Sequence, residues 1–225
     1  MKPPQVFEFF RRLCELEPDP KTELEYANTY QLLVAVVLSA QATDAGVNRA
    51  TRPLFAEIET PEQMISLGED ALRERIKTVG LFNTKAKNVI ALSQALLDRH
   101  GGEVPTDRDA LTALPGVGRK TANVVLNCAF GEETFAVDTH VFRVCNRTGL
   151  ARGKTPEQVE AKLDKAVPQP FRRHAHHWLI LHGRYTCKAR LPECWRCPVT
   201  DLCAYKAKVL EPPKGRPVRL IEPPA

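Results

Sequence analysis

The sequence predicts an all-α fold, on three observations. Strand signals are scarce: no series of valine or threonine alternations bounded by turns recurs along the 225 residues. Apolar residues return instead at helical spacing. Helix starts and stops are also written into the chain. Thr-Pro-Glu-Gln occurs twice, at 60–63 and 155–158. There a threonine N-cap precedes a proline at the first helical position, where its missing N–H costs nothing. Gly80 and Gly101 follow amphipathic stretches as stop signals.

The elements follow in order. Residues 6–16 put Phe7, Phe10 and Cys14 on one helix face, with Phe9, Leu13 and Leu16 beside it. Pro18-Asp19-Pro20 breaks that helix. Residues 29–42 are apolar all round until Ser39 and Gln41, the mark of a helix buried in a core. A more amphipathic helix starts near Gly46, and others span 69–79 and 84–99. Helices at 106–114 and 119–130 flank the turn LPGVGRKTA, residues 114–122. Residues 139–144 read either as a helix start behind Asp138 or as a short strand. There is no internal repeat. Two helical lobes are expected. One is residues 22–132; the other is 1–21 with 133–211. The tail, 212–225, is rich in proline and charge and is expected to be disordered.

Thirty-two basic against 27 acidic residues give a net charge of +5. That mild excess permits a nucleic-acid partner without demanding one. The N-terminal stretch is broken by Glu8, Arg11 and Arg12 and lacks the apolar region of a signal peptide. The longest apolar run, LLVAVVLSA, is too short to cross a bilayer. A soluble cytosolic protein without a membrane partner is expected. Seven cysteines, an odd number, argue for metal or free thiols over a disulfide framework. Cys14, Cys128 and Cys145 lie in apolar helical contexts and read as core residues. Cys187, Cys194, Cys197 and Cys203 are spaced C-x6-C-x2-C-x5-C. Four thiolates so close suit one zinc ion or an iron–sulfur cubane, and the spacing leaves both open. Either centre would close a loop too small for a core of its own. Four protein ligands leave no open coordination position, which makes the centre a fold element. Lys188 and Arg190 in that loop either present charge to a phosphate or are simply solvated.

The turn Pro115-Gly116-Val117-Gly118 joins two short helices. Glycines allow backbone angles closed to other residues and let a second backbone come near. The free N–H groups of the following helix, starting at Arg119, would point into the turn, as in an anion site. A plain corner between helices is the alternative. Lys120 sits in the first turn of that helix. The helix dipole and Arg119 disfavour its ammonium form, partial burial would act the same way, and a neutral amine is a nucleophile. A solvated lysine is the bland reading. Asp138, before Thr139 and His140, is an N-cap by placement; a cap held rigid and ionised can also face a developing positive charge. His174, His176, His177 and His182 invite a metal reading, but their aromatic and aliphatic neighbours favour a packed helix.

Together, LPGVGRKTA, VDTHVFRV, the four-cysteine loop, LSAQATD and HHWLILHGRYTCKAR resemble the endonuclease III branch of the helix-hairpin-helix DNA glycosylases, over residues 5–208. The resemblance implies an all-α protein with a cleft between its two lobes, and a 4Fe–4S cluster on the four cysteines. It implies a monomeric, bifunctional glycosylase and abasic-site lyase acting on oxidised pyrimidines in duplex DNA. Lys120 then matches the nucleophile and Asp138 the essential carboxylate. Gly116, Val117, Gly118 and Arg119 match the DNA-gripping hairpin. Gln41 and Leu81 match residues that fill the space of the extruded base, against a polar helix end and a core leucine as alternatives. Ser39, Asp44 and His140 match residues of the lesion pocket. The adenine-mismatch glycosylases share hairpin and cluster but typically lack the lysine and carry an early-helix glutamate; residues 32–43 hold no acid. A non-catalytic DNA-binding scaffold is the other alternative. Leu191 and Glu193 stand where the family often has basic residues, which weakens a DNA-contact role for the cysteine loop.

Overall fold

The computed structural model describes residues 1–213, and among these it contains helices and turns but no strand. The disorder expected for the tail falls, from residue 214 on, outside the described residues. The helices are α1 (Pro3–Leu16), α2 (Thr29–Ser39), α3 (Asp44–Phe55), α4 (Pro61–Leu67), α5 (Glu69–Arg75), α6 (Phe82–His100), α7 (Arg108–Thr112), α8 (Arg119–Phe130), α9 (Thr139–Thr148), α10 (Pro156–Ala166) and α11 (Arg172–Leu181). A π-helical turn, His182–Thr186, continues α11, and Cys194–Arg196 forms a 3₁₀ turn. The chain divides into two compact units. One is Thr22–Glu132, with α2 to α8. The other is Met1–Lys21 with the chain from Glu133 on, holding α1, α9 to α11 and the cysteine loop.

In the Thr22–Glu132 unit, α2 is the central post. Every residue from Tyr30 to Leu38 is buried, and α3, α6 and α8 pack around it. Such a helix can be apolar all round because no face meets water. It ends earlier than the expected residue 42. The Ser39 hydroxyl turns back to the Val36 carbonyl at 2.8 Å, and Gln41 adopts a left-handed φ of 55°. Such back-bonding competes with helix continuation. Thr60 caps α4 as expected, and Gln63 returns the bond in a capping box. The second amphipathic stretch closes at Ile76 rather than at 79, so Gly80 is not a helix stop. Gly101 is one, at φ 59°.

In the other unit, Phe9, Phe10 and Leu13 of α1 bury against a core that includes Phe171, Trp178 and Leu179. Phe10 stacks on Phe171 with ring centres 6.0 Å apart. The strand alternative for 139–144 is overturned: the segment is the first part of α9. Cys145 is fully buried there, whereas Cys14 and Cys128 are only half-buried, which corrects their reading as core residues. His176 and His177 are buried in α11, and His174 lies against Trp178. Burial pushes His177 down to about 4. The π-helical turn brings Gly183 so near α9 that a Cβ there would sit 2.8 Å from the His140 Cβ.

Candidate nucleic-acid interface and cysteine centre

The hairpin is built from a few buried anchors. Asp107 caps α7 by accepting the Ala110 amide at 2.8 Å. Leu111, Leu114 and Val117 are buried, and the Val117 amide donates to the Leu114 carbonyl at 3.1 Å. These hold the turn closed, so Val117 anchors it from below. Gly116 has φ 77°, and a Cβ on it would meet the Asn88 side chain of α6 at 3.0 Å. The angle strains any other residue, and a Cβ would also press on Asn88. Gly118 is different. Its φ of −92° is ordinary, and a Cβ there would point into open space. The protein's own packing does not ask for glycine at 118, which corrects the reading of both glycines as conformationally special. Gly118 is the N-cap of α8, and no side chain caps that end. Arg119 and Lys120 follow in the first turn, both exposed. The partial burial considered for Lys120 is therefore not present.

Gln41 and Leu81 share a property the sequence did not announce. Among the described residues they are the only non-glycines with positive φ, at 55° and 60°. Side chains rarely take that conformation because the Cβ crowds the following carbonyl. Both are exposed, Leu81 to 60%. That rules out a core leucine at 81, and Gln41 stands in a turn beyond α2 rather than at a helix end. The two turns are neighbours: a Cβ on Gly80 would lie 3.7 Å from the Gln41 carbonyl oxygen. Ser39 and Asp44, on either side of the Gln41 turn, are half-buried.

Asp138 is the N-cap of α9, its Oδ1 accepting the Val141 amide at 2.8 Å. It is half-buried, as is His140. Lys120 belongs to one compact unit, Asp138 and His140 to the other. Sequence reading missed Arg143. It donates to the Cys187 carbonyl at 2.9 Å and to the Gly183 carbonyl at 2.7 Å, and it lies 3.2 Å from His140 Nδ1. It thus fastens the helix capped by Asp138 to the cysteine loop. Its position one helical turn after His140 was the available signal.

Cys187, Cys194, Cys197 and Cys203 line one small cavity with Thr148, His182, Thr186, Thr200 and Tyr205. Two of the sulfurs have N–H groups close by, and a histidine ring nitrogen lies near a third. Arg147 Nη1 is 3.7 Å from Cys187, the Tyr205 amide donates to Cys203 at 3.4 Å, and His182 Nε2 is 3.7 Å from Cys197. Arg147 also bonds the Lys188 and Ala189 carbonyls, each at 2.7 Å, and lies over the Tyr205 ring. Burial pushes the Cys197 thiol up to about 12 and raises Cys203 as well. Thiols so placed ionise only with a cation to hold them. Among the described residues no three His, Cys, Asp or Glu side chains are set for a single metal ion. The loop's positive charge is largely spoken for. Lys188 pairs with Glu193 at 2.6 Å, and Arg196 bonds the same carboxylate. Lys188 is therefore neither simply solvated nor open to a phosphate.

A helical unit with a glycine hairpin, and a second unit with a four-cysteine loop, define a class that comparison identifies. The family model described as HhH-GPD superfamily base excision DNA repair protein matches residues 34–169. The chain is 59% identical over 202 residues to the endonuclease III of Haemophilus influenzae, covering 90% of this chain and 96% of the relative. The endonuclease III of Escherichia coli matches with the same figures. The fold superposes with a TM-score of 0.85, at 44% identity, on a solved trapped endonuclease III–DNA covalent intermediate, an estranged-adenine complex; 91% of this chain and 96% of that one are covered. The chain belongs to the endonuclease III family of the HhH-GPD superfamily.

Proposed function

We propose that this chain is a bifunctional DNA glycosylase and abasic-site lyase that removes oxidised pyrimidines from duplex DNA in base excision repair. The observation that carries the reading is Lys120: an exposed primary amine in the first turn of an uncapped helix, directly behind a glycine hairpin. The uncapped N–H groups of α8 and the open space at Gly118 suit a DNA phosphate, with Gly116 and Val117 shaping the turn and Arg119 adding charge. Phosphate contacts of this kind fix register and carry no sequence information.

The target sugar carbon is out of reach inside the stack, so the damaged nucleotide is extruded first. Leu81 wedges and Gln41 occupies the vacated space. Ser39, Asp44 and His140 are assigned to the damaged nucleotide by the family resemblance alone. The Lys120 amine attacks the anomeric carbon; the glycosidic bond breaks and the base leaves with its electrons. Asp138 stabilises the cationic sugar, and the proton of the attacking amine leaves with the departing base. The sugar ring opens to an iminium. The iminium acidifies the neighbouring C2′ proton; its loss gives an enamine, whose electrons return to break the C3′–O bond, expel the 3′ phosphate and leave an unsaturated iminium.

Cys187, Cys194, Cys197 and Cys203 would hold a 4Fe–4S cluster. The residues fit: four thiols line one cavity, and N–H groups lie near the Cys187 and Cys203 sulfurs, which favours thiolate ligands. The cluster supplies a cross-link for the loop. The protein would act as a monomer in the cytosol, at the nucleoid if the cell is bacterial. Borohydride trapping on abasic-site DNA tests the assignment. Wild type is expected to form a covalent adduct and Lys120→Ala none; equal trapping by both would defeat it. A non-catalytic scaffold would leave Lys120 without chemistry, and an adenine-mismatch glycosylase would not trap.

A further inference from the structure

Two exposed residues with left-handed backbone angles, Gln41 and Leu81, need something to hold them. Such strain persists only where the surroundings over-determine it. Neither side chain is buried enough to do that itself. The surroundings point to one residue, Lys85. It stands one turn into α6, and its own amide donates to the Leu81 carbonyl at 3.1 Å. Its side chain crosses to the end of α2. There Nζ donates to the Leu38 carbonyl at 2.9 Å and to the Ala40 carbonyl at 2.7 Å.

The carbonyls at that helix end are fully accounted for. Val36 accepts from the Ser39 hydroxyl, Val37 from the Ala40 amide, and Ser39 from the Ala42 amide. Leu38 and Ala40 accept from Lys85. A helix C-terminus carries partial negative charge, so an ammonium suits the position. Lys85 is nevertheless 5% exposed, and burial lowers its pKa. A buried ammonium is a poor device for stability alone, since an apolar side chain of similar length often serves as well. Its geometry explains it better. The ammonium ties the backbone just before Gln41 to the helix that follows Leu81, where the Gly80 turn lies beside the Gln41 turn.

We propose that Lys85 is a positioning residue for base extrusion: by joining the end of α2 to the start of α6, it presents Gln41 and Leu81 to the duplex as one rigid tool. This rests on the reading of Gln41 and Leu81 as the pair that enters the helix. It concerns opening of the duplex and leaves the lysine chemistry untouched.

The test compares single-turnover borohydride trapping on two substrates: an abasic site in a fully paired duplex, and the same site in a single-stranded oligonucleotide, which needs no opening. Lys85→Met keeps the length and removes the donors; Leu81→Ala removes the wedge. Circular dichroism and the visible absorption of the holoprotein verify folding. Lys85→Met is expected to slow the paired substrate by about tenfold, a fraction of the binding-step energy, while the single-stranded rate stays within about twofold. Leu81→Ala should show the same selectivity. If Lys85→Met folds poorly, Lys85→Gln, with a shorter donor, is expected to give a smaller loss of the same selectivity. Equal slowing on both substrates, or none, by the Lys85 variants beside a selective Leu81→Ala would overturn the role of Lys85. Absence of selectivity in Leu81→Ala as well would overturn it by removing the wedge reading beneath it.

Discussion

Asp138 caps α9 through a 2.8 Å bond from the Val141 amide, and the proposed chemistry asks the same carboxylate to stabilise a cationic sugar. Two substitutions separate these roles. Asparagine is as good an N-cap as aspartate, so Asp138→Asn keeps the bond to Val141 and removes the charge. Alanine removes both. Losing an N-cap costs about 1 kcal/mol, which for a chain of this size shifts Tm by about 2–4 °C. Losing a fixed electrostatic partner of a transition state lowers kcat by about 10²–10³. Asp138→Asn should therefore melt within about 1 °C of wild type yet lose that rate, because only the cap contributes to stability. Asp138→Ala should lose the same rate and the few degrees besides. The assays are thermal melts of the holoprotein and single-turnover base release on a duplex with one oxidised pyrimidine. Near-wild-type turnover by Asp138→Asn would refute the catalytic role and leave a cap alone. Equal melting of the asparagine and alanine variants would refute the capping argument.

Other predictions follow from the same geometry. Gly118→Ala, with open space around its Cβ, should cost less than about 1 kcal/mol of stability yet weaken DNA binding in a filter or anisotropy assay, since the added methyl group faces the phosphate. Arg119→Ala should lower the slope of log affinity against log salt by about one unit, whereas Lys188→Ala, already engaged by Glu193, should leave it within about half a unit. Cys203→Ser should lose visible absorption from the cluster and lower Tm, with near-native helix content in the Thr22–Glu132 unit by hydrogen exchange.

The all-α class and the placement of most helices were legible because periodicity and caps are local. Thr60 and Thr155 cap where their motif says they should, and Asp138 does likewise. Helix ends were less legible. The Ser39 back-bond that closes α2 depends on a rotamer, and Gly80 looked like a stop although α5 closes at Ile76. Cys14 and Cys128 sat in apolar sequence but only partly in a core, because periodicity gives a face and not its depth. The candidate site residues were read as residue types in motifs. What the motifs could not reveal was support from elsewhere in the chain. The left-handed angles at Gln41 and Leu81, the reach of Lys85 to α2, the Glu193 carboxylate on Lys188 and the Arg143 link to Cys187 are all contacts between separated residues.

One such contact makes α6 the gauge of its unit. Leu81 directly precedes its first residue, Lys85 reaches α2 from its first turns, and Asn88 packs against Gly116 of the hairpin. Lys85 and Asn88 are three residues apart and so share a face. At 1.5 Å per residue, about 10 Å of rigid helix then separates Leu81, the proposed wedge, from the residue that meets the proposed phosphate grip. A double-mutant cycle examines whether Asn88 sets the Gly116 turn. Gly116→Ala alone carries two penalties: a left-handed angle, of about 1–2 kcal/mol, and a 3.0 Å contact with Asn88. Asn88→Ala relieves the contact but leaves the angle. The pair should therefore be less destabilising than the sum of the single changes by about 0.5–1.5 kcal/mol, the range of residues in direct contact. Strict additivity in denaturant melts would mean that Asn88 yields freely and that the angle alone demands glycine, and the gauge would then lose its hairpin end.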